Sequence, residues 1–181
     1  MKQRGGFSFI EGMMAAVIVT IGMIAVIQLM TANLLTTFNA RNDIAADFLA
    51  QEGMEIVRNM RDNNWAQNQA AFAGPFPPNS ATNCRVDFAS SSLLCSGASK
   101  TLNLDSATGK YSYAGGASSR FQREIVIKYD TNSAATAASA QVTSVVVWGG
   151  SLPAAPVSAS NCKQVNQCTF VTSVLNNWGG S

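Results

Sequence analysis

The sequence predicts an α+β protein: one long N-terminal helix, apolar in its first half and amphipathic in its second, packed on a small antiparallel β-sheet head. Three observations carry that reading. There is no charge from Gly12 to Ile27, where Thr20 is the one hydroxyl, and the wider run 7–30 matches the roughly 20 apolar residues that cross a bilayer as a helix. The stretch that follows turns polar without breaking, since residues 31–43 hold neither proline nor glycine and the first proline of the chain is Pro75. Three β-rich runs, 121–129, 142–148 and 168–175, then follow one another through polar connectors, which favours an antiparallel meander laid against the amphipathic helix.

Residues 1–6 read as a short leader. Its cations, Lys2 and Arg4, precede the apolar run and so place the N-terminus on the cytoplasmic side, with the body exported. A secretory signal has its small-residue cleavage site beyond the apolar core; here the small pair, Gly5-Gly6, comes before it. Cleavage after Gly6 would remove both cations, keep the apolar helix and give Phe7 a new amino group. Residues 7–31 are then a membrane helix whose one acid is Glu11. An ionised side chain inside such a helix costs about 2.5 to 3.5 kcal/mol, so by default it marks function and implies a partner. The amine of Phe7, about one helical turn before Glu11, supplies the missing cation. It meets either its own Glu11 or that of a neighbouring helix shifted by a turn, and the second arrangement builds a filament.

Gly6-Phe7-Ser8-Phe9-Ile10-Glu11 followed by an apolar helix resembles the type IV prepilin signature, shared by type IV pilins, minor pilins and the pseudopilins of type II secretion. Leu49-Ala-Gln-Glu-Gly-Met-Glu-Ile-Val-Arg58 and Leu175-Asn-Asn-Trp178 more loosely resemble bacterial minor pilins. The resemblance implies a ladle-shaped pilin fold, a prepilin peptidase that cuts between Gly6 and Phe7 and methylates the amine of Phe7, and an assembly role for Glu11. It implies as partners other pilin subunits, that peptidase and the inner-membrane assembly machinery. The location it implies is the cytoplasmic (inner) membrane before assembly, as a single-pass prepilin, and then an extracellular pilus or the cell envelope. The implied function is a filament subunit, a minor pilin. Two other readings stand beside it: a pseudopilin retained in the envelope, and a single-pass anchored binding or adhesion module that never polymerises and keeps its leader. Many pilins carry a proline partway along this helix and this sequence does not; Gly12, Gly22 and Gly53 are its weak points, each costing about 1 kcal/mol relative to alanine.

Residues 32–62 continue the helix into the head. Ala45, Ala46, Leu49, Gly53, Ile56, Val57 and Met60 fall on one face at helical spacing, while Asp47, Glu52, Glu55, Arg58 and Arg61 mostly occupy the rest. Asp62-Asn-Asn is expected to end the helix, because these side chains compete for backbone hydrogen bonds, and Trp65 to fold back on the head. Residues 63–181 form the β-rich head. Its first part, 66–119, is rich in Ala, Ser, Asn and Gly and reads as loop with two short strands, around 85–88 and 101–104. In the run 121–129, Phe121, Ile125, Ile127 and Tyr129 alternate with Gln122, Glu124 and Lys128, with Arg123 breaking the inward face and Val126 the outward one. Val145-Val146-Val147 reads as a strand covered on both faces. The connector with Gly149-Gly150, Pro153 and Pro156 carries no predicted element.

Composition narrows the function. Lys2 and Arg4 account for the formal charge of +2: twelve Lys and Arg less these two leaves ten, against ten Asp and Glu. A broad basic footprint for nucleic acid is therefore not indicated. Arg120, Arg123 and Lys128, interleaved with Phe121 and Tyr129, are the nearest thing to a basic-aromatic strand for single-stranded nucleic acid; they read as a solvated strand face with its aromatics in the core. With no histidine there is no Ser-His or Cys-His pair, and no glycine-rich phosphate loop follows a strand, so neither an enzyme nor a cofactor is expected. In an exported body, Cys84, Cys95, Cys162 and Cys168 form an even set with three possible disulfide connectivities, of which nearest-in-sequence pairing is expected. The absence of histidine and of any C-x-x-C pair argues against a zinc site.

Overall fold

Helix α1 runs from Phe9 to Ala66, 58 residues in one element, in a computed structural model that describes residues 8–96, 99–131, 133–153, 157–165 and 167–178. The chain divides between Arg41 and Asn42 into two compact units. In the first unit, every large apolar side chain from Phe9 to Phe38 is more than half exposed. The most apolar window of α1 has a mean hydropathy of 2.4 and none of it is buried. Thr20, Thr31, Thr36 and Thr37 turn their hydroxyls back onto carbonyls three or four residues earlier, which satisfies those donors without water. This is one helix, near the N-terminus, long and apolar enough to cross a membrane.

In the second unit, α1 buries Ala46, Leu49, Ala50, Gly53, Met54, Val57, Met60 and Asn64. That is the expected stripe, with Ala50 and Met54 added and Ala45 and Ile56 only half-buried at its margins. The helix does not stop at Asp62 but continues four residues, to Ala66. The asparagines expected to break it are engaged elsewhere: Asn63 Nδ2 donates to Asn59 Oδ1 at 2.8 Å, and Asn64 Nδ2 donates to the carbonyls of Ala71 and Ala73. Trp65 therefore stays in the helix and packs on the core, with the Arg61 guanidinium 4.4 Å from its ring centroid. Termination falls to Asn68 at φ +56°. Gln69 N–H reaches the carbonyl of Asn64 and Asn68 N–H that of Trp65, the paired bonds of a left-handed C-terminal cap with asparagine in the glycine position.

The sheet consists of β1 (Ala81–Cys84), β2 (Thr101–Leu104), β3 (Tyr111–Ser112), β4 (Ala117–Tyr129), β5 (Ser139–Trp148) and β6 (Cys168–Asn176). Its order is β3-β2-β4-β5-β6, with β1 also on β4, and every pairing is antiparallel. The meander expected from the three long runs is β4-β5-β6, in unbroken register from Phe121↔Trp148 to Tyr129↔Ala140 and from Ser139↔Asn176 to Val147↔Cys168. The expected strand at 85–88 is displaced to Ala81–Cys84. Asn83 at φ +61° shifts the register there. Arg85 then leaves the sheet to bridge Leu94, beside the disulfide that joins Cys84 to Cys95.

Strand alternation assigns the two faces. Ile125, Ile127 and Tyr129 of β4, Ala140 and Val142 of β5, and Leu175 of β6 meet Met54, Val57 and Met60 in one cluster. Phe121, Val146 and Trp148 meet Ala46, Leu49 and Ala50 in a second. Val145 and Val147 point the other way and are nonetheless fully buried. A short helix in the connector, α2 (Ala159–Val165), contributes to covering that face: it packs on β6, and its Cys162 is bonded to Cys168, the register partner of Val147. Sequence reading gave this connector no element; Ser158 opens the helix, its N–H donating to Asn161 Oδ1 and its hydroxyl accepting from Asn161 N–H.

Candidate functional site

The chemistry singled out by the sequence lies at the start of α1. Gly6 and Phe7, the expected cleavage and methylation positions, lie outside the described residues. Ser8 is the first described residue, and its carbonyl accepts the N–H groups of Glu11 at 3.0 Å and Gly12 at 3.2 Å. Ser8 thus holds the N-cap position and Glu11 the third position of the helix, which is the Ser-x-x-Glu spacing of a capping box. Glu11 is exposed, and it is the acid of the first turn, where the helix dipole favours a negative charge by about 0.3 to 1 kcal/mol. The next charged residue along the chain is Arg41. Among the described residues Glu11 is therefore an isolated carboxylate at the head of an exposed stretch of helix that carries no other charge before Arg41. The capping-box spacing is legible in the sequence.

The basic-aromatic strand is taken apart by the fold. Phe121 and Tyr129 are in the core and Arg120 and Lys128 are exposed, but Arg123, grouped with them as a solvated face, is fully buried. Its guanidinium donates to the carbonyl of Leu49 at 3.0 Å, to Glu52 Oε2 at 3.0 Å and to the carbonyl of Val86 at 2.6 Å. Room for it comes from Gly53, where an added Cβ would sit 2.6 Å from Ser144 Oγ and 3.1 Å from Arg123 Cδ. Arg123 thus joins α1 to β4 and is not available to a ligand. The break in the inward alternation of β4 was its signal in the sequence; the partner, Glu52 on the helix, was not identifiable from spacing.

Around Arg123 lies a polar network. Tyr113 donates its hydroxyl to the carbonyl of Arg123 at 2.9 Å, and its ring lies within 6 Å of both the Arg85 and Arg123 guanidinium carbons. Burial pushes the Tyr113 hydroxyl above its ordinary value. Asp87 accepts from Tyr113 N–H, Ala89 N–H and the Ser90 hydroxyl. Burial raises its carboxyl, but these hydrogen bonds and the charge of Arg123 together outweigh burial and hold it below the ordinary value. Glu124, expected to face solvent, is instead buried, its Oε1 accepting Asn83 N–H at 2.7 Å. These contacts build a head; none of them leaves a nucleophile beside a base. Among the described residues no three His, Cys, Asp or Glu side chains gather as a metal site would require.

Comparison of the chain with family models, with curated proteins and with solved structures finds no match.

Proposed function

We propose that this chain is a type IV pilin-like filament subunit, a minor pilin, cut between Gly6 and Phe7 and assembled through α1. The observation that carries the reading is Glu11: one carboxylate at the head of a helix whose large apolar side chains are exposed from Phe9 to Phe38. A surface of that size needs a bilayer or other copies of such a helix to cover it. Within such a cover a lone carboxylate needs a cation. Cleavage after Gly6 creates one at Phe7. The amine of one subunit and Glu11 of the next then set the axial register, while the apolar faces supply most of the contact. The head, closed by two disulfides, Cys84–Cys95 and Cys162–Cys168, fits an exported location, where disulfides persist.

The test is mass spectrometry of sheared surface filaments against the cell-envelope fraction. A chain beginning at methylated Phe7 in the filaments supports the proposal. The same processed chain confined to the envelope identifies a pseudopilin, and an uncut chain beginning at Met1 overturns processing and leaves an anchored module that does not polymerise.

A further inference from the structure

A groove of about 630 Å³ runs alongside the last turns of α1, a size typical of small-molecule sites. One wall is a ladder of carboxamides, Asn59, Asn63 and Gln67, each one turn from the next; the other includes Pro75, Phe88 and Ser90. Its charges are already compensated. Glu52 is bound to Arg123 and Glu55 to Arg58, and no lysine or arginine lines the groove. Among the lining residues an anion would find no counter-charge, and a cation would find carboxylates that are already paired.

What remains unspent is amide hydrogen-bonding capacity. Asn63 Nδ2 donates to Asn59 Oδ1, which leaves the Asn59 amide N–H groups and the Asn63 carbonyl oxygen to a ligand. Gln67 is exposed at the end of the same ladder. Asn64, next to them, differs: both of its amide hydrogens are committed to the loop carbonyls of Ala71 and Ala73. Phe88 is 55% exposed. The Lys110 ammonium lies 5.1 Å from its ring centroid, on one side, and the ring is a flat apolar surface beside the amides. Paired amide donors and acceptors next to an aromatic ring match vicinal hydroxyls next to the C–H face of a pyranose. We propose that this groove binds a neutral oligosaccharide, with Asn59, Asn63 and Gln67 hydrogen-bonding its hydroxyls and Phe88 carrying one sugar ring.

The experiment applies the full chain, held in a zwitterionic detergent without a sugar headgroup, to an array of neutral hexose and N-acetylhexosamine oligomers, with extended peptides on a parallel array. Binding to at least one neutral glycan series is expected. Asn63→Ala and Phe88→Ala should each weaken it by about tenfold or more, with unchanged thermal unfolding because both side chains are exposed. Ser160→Ala, in α2 and away from the groove, should bind as the parent does. Absence of neutral glycan binding overturns the inference, as does capture of peptides alone. Glycan binding that survives both Asn63→Ala and Phe88→Ala also overturns it, since the glycan then sits elsewhere.

Discussion

Arg123 and Glu52 show how unequal burial decides the value of an ion pair. Arg123 is fully buried, whereas the Glu52 side chain keeps 37% of its surface exposed. Removing Glu52 strands a guanidinium that has no water, a change that costs about 3 to 5 kcal/mol in buried pairs. Removing Arg123 lets Glu52 hydrate and leaves chiefly the Val86 carbonyl unpaired, at about 1 to 3 kcal/mol. Glu52→Ala is therefore expected to destabilise the head more than Arg123→Met, as read from urea unfolding followed by the fluorescence of Trp65, Trp148 and Trp178; the reverse order would contradict this account of the pair. Asp87 adds a pH dependence. Its folded value lies below the ordinary 3.8, so its contribution is present above that value and lost as pH falls through the folded one. Stability of the head should thus drop on acidification below about pH 4, and Asp87→Asn should flatten part of that drop.

At the scale of elements, Gly22 and Gly53 of α1 do different things. Alanine is favoured over glycine in a helix by about 1 kcal/mol, and at Gly22 nothing lies within 4 Å of an added Cβ. At Gly53 that atom meets Ser144 Oγ, Arg123 Cδ and Ile125 Cδ1, and overpacking of this kind costs about 1 to 3 kcal/mol. Gly53→Ala should lower the unfolding midpoint of the head in urea while Gly22→Ala leaves it unchanged; equal behaviour would mean that Gly53 marks no close approach. The same contrast explains what the sequence made legible. Periodicity revealed α1, its buried stripe and the β4-β5-β6 meander, because those patterns are set by burial on one face and repeat over many residues. It failed where single side chains made long-range bonds: Asn64 reaching Ala71 and Ala73 to prolong the helix, Asn83 turning through φ +61° to move a strand, and Asn161 helping Ser158 start α2. At the candidate site the reading reached Glu11 itself and missed its capping-box spacing to Ser8. It found the inward break at Arg123 but not its partner on the helix, Glu52.

At the scale of the whole molecule, the two units solve opposite problems. The second buries its apolar residues in two clusters and links Cys84 to Cys95 across a sequence separation of 11, a loop closure worth about 3 kcal/mol. Cys84→Ala with Cys95→Ala should lower its stability by about that amount in urea unfolding. The first unit leaves its apolar side chains exposed and carries one acid at their head. Glu11 stands at the capping-box position of its own helix, and under the proposed function it is also the charge that meets an amine on the next subunit. Glutamine serves the capping box as glutamate does but brings no charge. The decisive measurement is therefore the amount of Glu11→Gln in sheared filaments relative to the membrane pool, expressed beside the wild-type filament system. The account predicts that Glu11→Gln is inserted and cut after Gly6 yet enters filaments as poorly as Glu11→Ala, because losing the charge leaves the Phe7 amine uncompensated at a cost of about 3 to 5 kcal/mol. Incorporation of Glu11→Gln at the wild-type ratio would contradict it.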